Sequence, residues 1–171
     1  QAFARRNQIT LSTLLQAGWA LLLSRYSGEP DVLFGVTVSG RSAPVPGIDR
    51  MVGLFINTLS VRVKTNEAAS VLDWLKTLQA HQTELLEQEH SALVDVQSWS
   101  DVPRGTPLFE SLVVFENYPL EEALRQGSHG LTVSDARTVE HSSYPLTLIG
   151  AFRRSLVLRI GYDRRRFDSA T

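Results

Sequence analysis

Four histidines, His81, His90, His129 and His141, carry the side chains of this 171-residue sequence whose ordinary pKa suits proton transfer near neutrality. His90 opens the run His90-Ser91-Ala92-Leu93-Val94-Asp95, which places a carboxyl group five residues on, the raw material for a base and its orienting acid. That spacing fixes no geometry, because most histidines have an acid close by in sequence. His81 and His90 fall in or just after a long helical stripe and read as solvated helix residues. His129 lies in Gly127-Ser128-His129-Gly130, the composition of an exposed turn. His141 begins His141-Ser142-Ser143-Tyr144-Pro145 just before a strand, where such a cluster either lines a pocket or simply builds the turn that Ser, Pro and Tyr favour.

Several chemistries are excluded by what is missing. There is no Cys, so thiolate nucleophiles, disulfides and Cys-containing zinc sites are ruled out. The strand-to-helix nucleophile turn Gly-x-Ser-x-Gly does not occur, nor do the Gly-rich patterns that cradle phosphates. Arg164, Arg165 and Arg166 make a short basic run that reads as a solvated strand end, with a carrier or phosphopantetheine contact as the alternative. Seventeen Lys and Arg against eighteen Asp and Glu leave a net charge of −1, so no global field draws the chain to nucleic acid or to an anionic membrane. The longest apolar stretch, around Trp19 to Leu23, is far short of the roughly 20 residues that cross a bilayer. No secretory signal is visible, and both ends read as internal to a longer polypeptide.

The elements that must position these residues are legible in the apolar spacing. Leu11, Leu14, Leu15, Gly18, Trp19, Leu22 and Leu23 recur at helical intervals between a capping Thr10 and a stopping Gly28, which predicts a mostly buried helix. Ser70 and Asp73 resemble a capping box, followed by the stripe Val71, Leu75, Leu78, Gln82, Leu85 and Leu86 to about Glu89. Leu93, Val96 and Trp99 suggest a further short helix, and Trp19, Trp74 and Trp99 are all expected to pack in the core. Strands are expected over 32–38, 54–63, 112–115, 131–133, 146–152 and 156–162, with an exposed loop over 39–50 and a short polar helix over 120–126. In the second strand Phe55, Leu59, Val61 and Val63 alternate inward with Asn57 among them, so one amide sits on the apolar face and must find partners. Two long helices and several strands around one sheet make a layered α+β domain.

Five segments, in order, resemble the condensation domains of nonribosomal peptide synthetases, and specifically their carboxy-terminal lobe. They are Thr10 to Arg41, which contains Gly35-Val36-Thr37-Val38-Ser39-Gly40-Arg41; Val52-Gly53-Leu54-Phe55-Ile56-Asn57-Thr58-Leu59-Ser60-Val61-Arg62; Glu89 to Ser100; Pro107-Leu108-Phe109-Glu110-Ser111-Leu112-Val113-Val114-Phe115-Glu116-Asn117-Tyr118-Pro119; and Tyr144-Pro145-Leu146-Thr147-Leu148. In the third, Ala92 stands where the family often has Pro. The resemblance implies an α+β sandwich, a chloramphenicol acetyltransferase-like lobe whose mixed sheet is packed by two long helices, with residues 1–171 forming one lobe and the amino-terminal lobe absent from this sequence.

The implied reaction joins a donor acyl or peptidyl thioester to an acceptor aminoacyl thioester. Both are carried on the phosphopantetheine arms of donor and acceptor peptidyl carrier proteins, and no cofactor or metal is bound directly. The family's catalytic motif, His-His-x-x-x-Asp-Gly, does not occur here, so no catalytic residue is expected in this piece, which alone should be inactive. The resemblance makes Asn57 and Thr58 candidates for tunnel-side polar groups, with Ser142, Ser143 and Tyr144 on the same wall and Ser39, Gly40 and Arg41 in an interlobe segment. Partners implied are the missing amino-terminal lobe, the two carrier proteins and an adjoining adenylation domain, in the cytoplasm, with neither nucleic acid nor membrane. Alternatives are a noncatalytic module that docks carrier proteins, or a lobe of a related epimerisation or heterocyclisation domain.

Overall fold

The computed structural model describes residues 1–42, 45–65, 69–116, 142–152 and 155–168. The helix expected over 120–126, the strand expected over 131–133, His129 and His141 lie outside the described residues.

The first long helix forms where its caps place it. A short helix α1 (Ala2–Arg6) leads into α2 (Leu11–Ser27), at whose start Thr10 Oγ1 accepts the Thr13 N–H at 2.9 Å. Gly28 ends it in the left-handed conformation, φ 76°, a geometry that glycine adopts without a Cβ penalty. The second long helix, α3 (Val71–Leu86), starts at Ser70, whose Oγ accepts the Asp73 N–H while donating to the Asp73 carboxylate. The cap bond is the one the Ser70 and Asp73 spacing suggests, while the Asp73 carboxylate closes the pair through the Ser70 hydroxyl. A shorter helix, α4 (Leu93–Ser98), follows.

Five strands make one mixed sheet: β1 (Asp31–Val38), β2 (Asn57–Lys64), β3 (Ser111–Glu116), β4 (Leu146–Phe152) and β5 (Leu156–Tyr162), in the order β2-β1-β3-β4-β5. The two outer pairings are antiparallel and the two inner ones parallel. β2 begins at Asn57, three residues later than the alternation suggests, since 54–56 belong to the loop before it. Both long helices pack on one sheet face, and Val32, Phe34, Val36, Val61, Val63, Val113 and Leu148 meet Leu15, Ala17, Trp19, Leu75 and Leu78 in a single core.

Between the helices runs a polar seam. Gln82, the polar member of the α3 stripe, takes Thr13 Oγ1 at 2.7 Å on its carbonyl oxygen and donates to Gln16 Oε1 at 2.8 Å. Gln79 Oε1 accepts from Thr10 N at 2.7 Å, and its amide donates to Gln8 O. Thr13 and Gln16 are buried, so these bonds replace the water that the side chains lose.

Two expectations fail for related reasons. Trp99 is 73% exposed instead of packed in the core, and Leu22 of the α2 stripe faces outward. Each lies on a face that no described element packs over. Trp19 is buried as expected, with its indole N–H on Ser111 Oγ at 3.3 Å. Because Phe34 is fully enclosed between sheet and helices, Phe34→Ala is expected to destabilise the fold by about 3–5 kcal/mol, measured from urea unfolding midpoints.

Candidate functional site

Past the end of β1 the chain turns sharply. Ser39 is exposed, whereas Gly40 is buried at φ 66° with its α-carbon against the Phe55 backbone, where a Cβ would collide with the Phe55 carbonyl oxygen. Gly is required there on two counts, conformation and space. Arg41 then reaches across the 48–55 loop. Its guanidinium donates to the carbonyls of Ile48 and Met51, the latter at 3.0 Å, and approaches that of Gly53 at 3.5 Å. It also lies 4.3 Å from the centroid of the Phe55 ring, a cation–π contact. One side chain thus holds the loop before β2 to the turn after β1.

The next residue makes a second tie. Ser42 donates both its N–H, at 2.6 Å, and its hydroxyl to Glu89 Oε1 in the turn after α3. Glu89 is only 2% exposed. Its backbone carbonyl and that of Ser91 each accept an amide proton from Asn57 Nδ2 at 2.8 Å, while Asn57 Oδ1 accepts the Thr58 N–H. The amide foreseen on the apolar face of β2 is therefore satisfied by backbone. Ser39, Gly40, Arg41, Ser42, Asn57 and Glu89 gather at one end of the sheet, where Val38 pairs with Asn57.

The remaining candidates lie elsewhere. Thr58 pairs with Thr37 and points to the face opposite Asn57, as strand alternation demands. Ser142 and Ser143 are exposed, and Tyr144 is half-buried just before β4. Strand register puts this segment at the other end of the sheet from Asn57, about 20 Å away at roughly 3.3 Å per residue. There the Tyr144 N–H donates to Ser142 Oγ, and its ring stacks on Phe109 with centroids 5.4 Å apart. Burial pushes the Tyr144 hydroxyl above its ordinary pKa.

His81 is exposed, and His90 turns to Glu89 instead of Asp95, with Nε2 3.8 Å from Glu89 Oε1. Among the described residues no group of three or more His, Asp or Glu side chains could hold a metal, and no helix is long and apolar enough to cross a membrane. Of the basic run, Arg165 is bound to Asp163 and Arg166 to Glu110 through two nitrogens each. A phosphate-binding role for these two would require breaking existing ion pairs.

The whole chain, residues 1–171, matches the family model described as Condensation domain. This chain belongs to the condensation domain family. Curated relatives in that family include a linear gramicidin synthase of Brevibacillus parabrevis, 48% identical over 167 residues that make up 98% of this chain and 2% of the synthase. Another is the chondramide synthase of Chondromyces crocatus, 50% identical over 172 residues, covering 100% of this chain and 4% of the synthase. The chain therefore spans a small fraction of these relatives' length. Among solved structures, that of holo T3CT superposes with a TM-score of 0.72 at 28% identity, covering 92% of this chain and 37% of that one. The first condensation domain of the calcium-dependent antibiotic synthetase, at 16% identity, shares the fold with a TM-score of 0.70 over 98% of this chain and 36% of its own. The α+β architecture expected of the condensation family is the one found.

The main residue that sequence reasoning missed is Glu89. It sits in Glu87-Gln88-Glu89-His90, a wholly polar run whose pattern signals a solvated helix end. Ser42 and Phe109 were missed in the same way, since their partners lie 47 residues on at Glu89 and in the Tyr144 segment.

The Asp163 carboxyl carries a direct check on the ion pairs. Hydrogen bonds from the Arg165 side chain and backbone hold it at about 2. A lowered carboxyl pKa stabilises the fold above the ordinary carboxylate range, and this contribution disappears as pH falls through the folded value. The NMR-detected Asp163 midpoint is expected near 2 and should rise toward 3.8 in Arg165→Ala. An unmoved midpoint would dissolve the pair.

Proposed function

We propose that this chain is the carboxy-terminal lobe of a condensation domain that forms amide bonds between carrier-bound substrates. The observation carrying the reading is the family match over residues 1–171, joined to near-complete coverage of this chain by synthases about half identical to it. The acceptor's amine nitrogen attacks the donor thioester carbonyl, the new C–N bond forms as the C–S bond breaks, and the amine proton passes to the departing thiol. Both substrates arrive on phosphopantetheine arms, so holding two tethered reactants in one passage supplies much of the acceleration. A histidine of the family's His-His-x-x-x-Asp-Gly motif, which this sequence does not contain, assists proton movement or charge stabilisation from the amino-terminal lobe. An adjoining adenylation domain loads the carriers, and the assembly works in the cytoplasm.

Within this reading Ser39, Gly40 and Arg41 form the interlobe segment. Two further features support it: Met51, Val52, Leu54 and Ile56, in the loop that Arg41 holds, are exposed, as are Leu156, Val157, Leu158 and Ile160 along β5. Apolar surface of this extent suits contact with the rest of a domain better than contact with water. Asn57 serves the tunnel wall by fixing its backbone, Thr58 faces the other side of β2, and Ser142, Ser143 and Tyr144 line the wall at the far end of the sheet.

The deciding experiment supplies the complete domain with donor and acceptor carriers loaded with aminoacyl thioesters and follows the dipeptidyl thioester by mass spectrometry. Amide formation by the complete domain and none by residues 1–171 alone is the expected pattern. Failure of the complete domain, with carrier binding retained, would favour the noncatalytic docking module, and inverted stereochemistry or ring closure would favour an epimerisation or heterocyclisation domain. Residues 1–171 alone are also expected to self-associate through the exposed apolar surface, read as a concentration-dependent sedimentation coefficient. A strictly monomeric species over a wide concentration range would count against a covered interlobe face.

In the complete domain Asn57→Ala is expected to lower the rate of amide formation by more than its effect on stability, which is about 1–3 kcal/mol for the carbonyls left unpaired. Equal losses by stopped-flow rate and urea midpoint would make Asn57 structural only.

A further inference from the structure

We propose that Glu89 is a positioning residue for the condensation reaction, fastening the Arg41-held loop and Asn57 into one unit through Ser42 and its own backbone carbonyl. The inference rests on the amide-forming reading and adds a residue to it. The turn after α3 touches two separate segments through one residue. The Glu89 side chain, 2% exposed, takes both donors of Ser42, and its main chain takes one amide proton of Asn57. Ser42 follows Arg41 directly, so the side-chain tie fixes the stem of the guanidinium that gathers the Met51 and Gly53 carbonyls and the Phe55 ring.

Without that tie the turn after β1 would keep the Gly40 packing and the Arg41 bonds to the 48–55 loop, but neither joins it to the turn after α3. A carboxyl that accepts both donors of one serine specifies distance and direction together. Glu89 touches none of the reacting atoms in this arrangement. It acts through Ser42 and Asn57, on the placement of the exposed residues Met51, Val52, Leu54 and Ile56. A displaced wall lowers the fraction of bound substrate pairs aligned for attack, which reduces kcat and leaves carrier KM nearly unchanged.

The test uses the complete domain with loaded carriers and the variants Glu89→Ala, Glu89→Gln and Ser42→Ala. Glu89→Gln keeps a carbonyl oxygen for Ser42, so it should stay within about threefold of wild type in kcat, while Glu89→Ala falls by about tenfold or more with KM moving less than about twofold. Ser42→Ala should fall in the same direction, and the double variant Ser42→Ala with Glu89→Ala should be little worse than Glu89→Ala alone, because both remove one interaction. Deuterium uptake should rise in the peptide over residues 39–56 for Glu89→Ala, with Glu89→Gln near wild type. Full additivity of the two substitutions, a kcat loss matching only the unfolded fraction, or unchanged uptake over 39–56 would overturn the proposal. If Glu89→Ala does not fold, Ser42→Ala against Glu89→Gln decides by the same kcat and exchange readouts. A wild-type domain that forms no amide would defeat the underlying reading instead, and the exchange experiment would still report on the tie.

Discussion

Asn57 occupies an inward position on a strand whose other inward residues are Leu59, Val61 and Val63, and its half-buried carboxamide needs partners from the protein. It meets that demand by giving both protons to the carbonyls of Glu89 and Ser91. The consequence is geometric: the turn after α3 has to lie over the start of β2, which fixes where α3 ends and where α4 can begin. With the turn in place, the Glu89 side chain is buried and must find its own donors, which Ser42 supplies. A single polar side chain on an apolar face thus organises three stretches of chain distant in sequence.

The polar seam between α2 and α3 obeys the same logic at a larger scale. Two helices packed only through leucine could slide by a turn at little cost, whereas Thr13, Gln16, Gln79 and Gln82 match donors to acceptors in one register. Buried polar networks of this kind set specificity more than they raise stability. Here the register matters because α3 must deliver Glu89 to the right end of β2.

Much of the fold was legible because its cues are local. Thr10, Gly28 and Ser70 mark the ends of helices through bonds within a few residues, and the apolar spacing of α2, α3 and the inward half of β2 is carried by neighbouring positions. Asn57 was legible as a problem, an amide on an apolar face, although its solution was not. Glu89 was opaque because nothing in its neighbourhood differs from a solvated helix end; only the arrival of Ser42 and Asn57 from elsewhere buries it. Trp99 was read as interior on residue type alone, and residue type does not say which elements, if any, pack over a side chain. Ser142, Ser143 and Tyr144 resembled a pocket wall in sequence, and their distance from Asn57 follows from a strand register that no local pattern reveals.

The parallel pairing of β1 with β3 has a consequence for how such a polypeptide emerges from the ribosome. After β1 is made, its hydrogen-bonding edge on the β3 side has no partner until the chain has passed through β2, α3 and α4 to reach Ser111. At translation speeds of about 5–20 residues per second this leaves the central strand half-paired for several seconds. During that interval, chains growing side by side on one message present matching open edges to one another. The early helix α2, already synthesised and capped at both ends, can cover the apolar face of β1 but not its open edge. Misassembly between nascent chains is therefore a hazard set by strand order, and the closeness of β2, which can pair with the other edge of β1 almost at once, limits the exposure to one side.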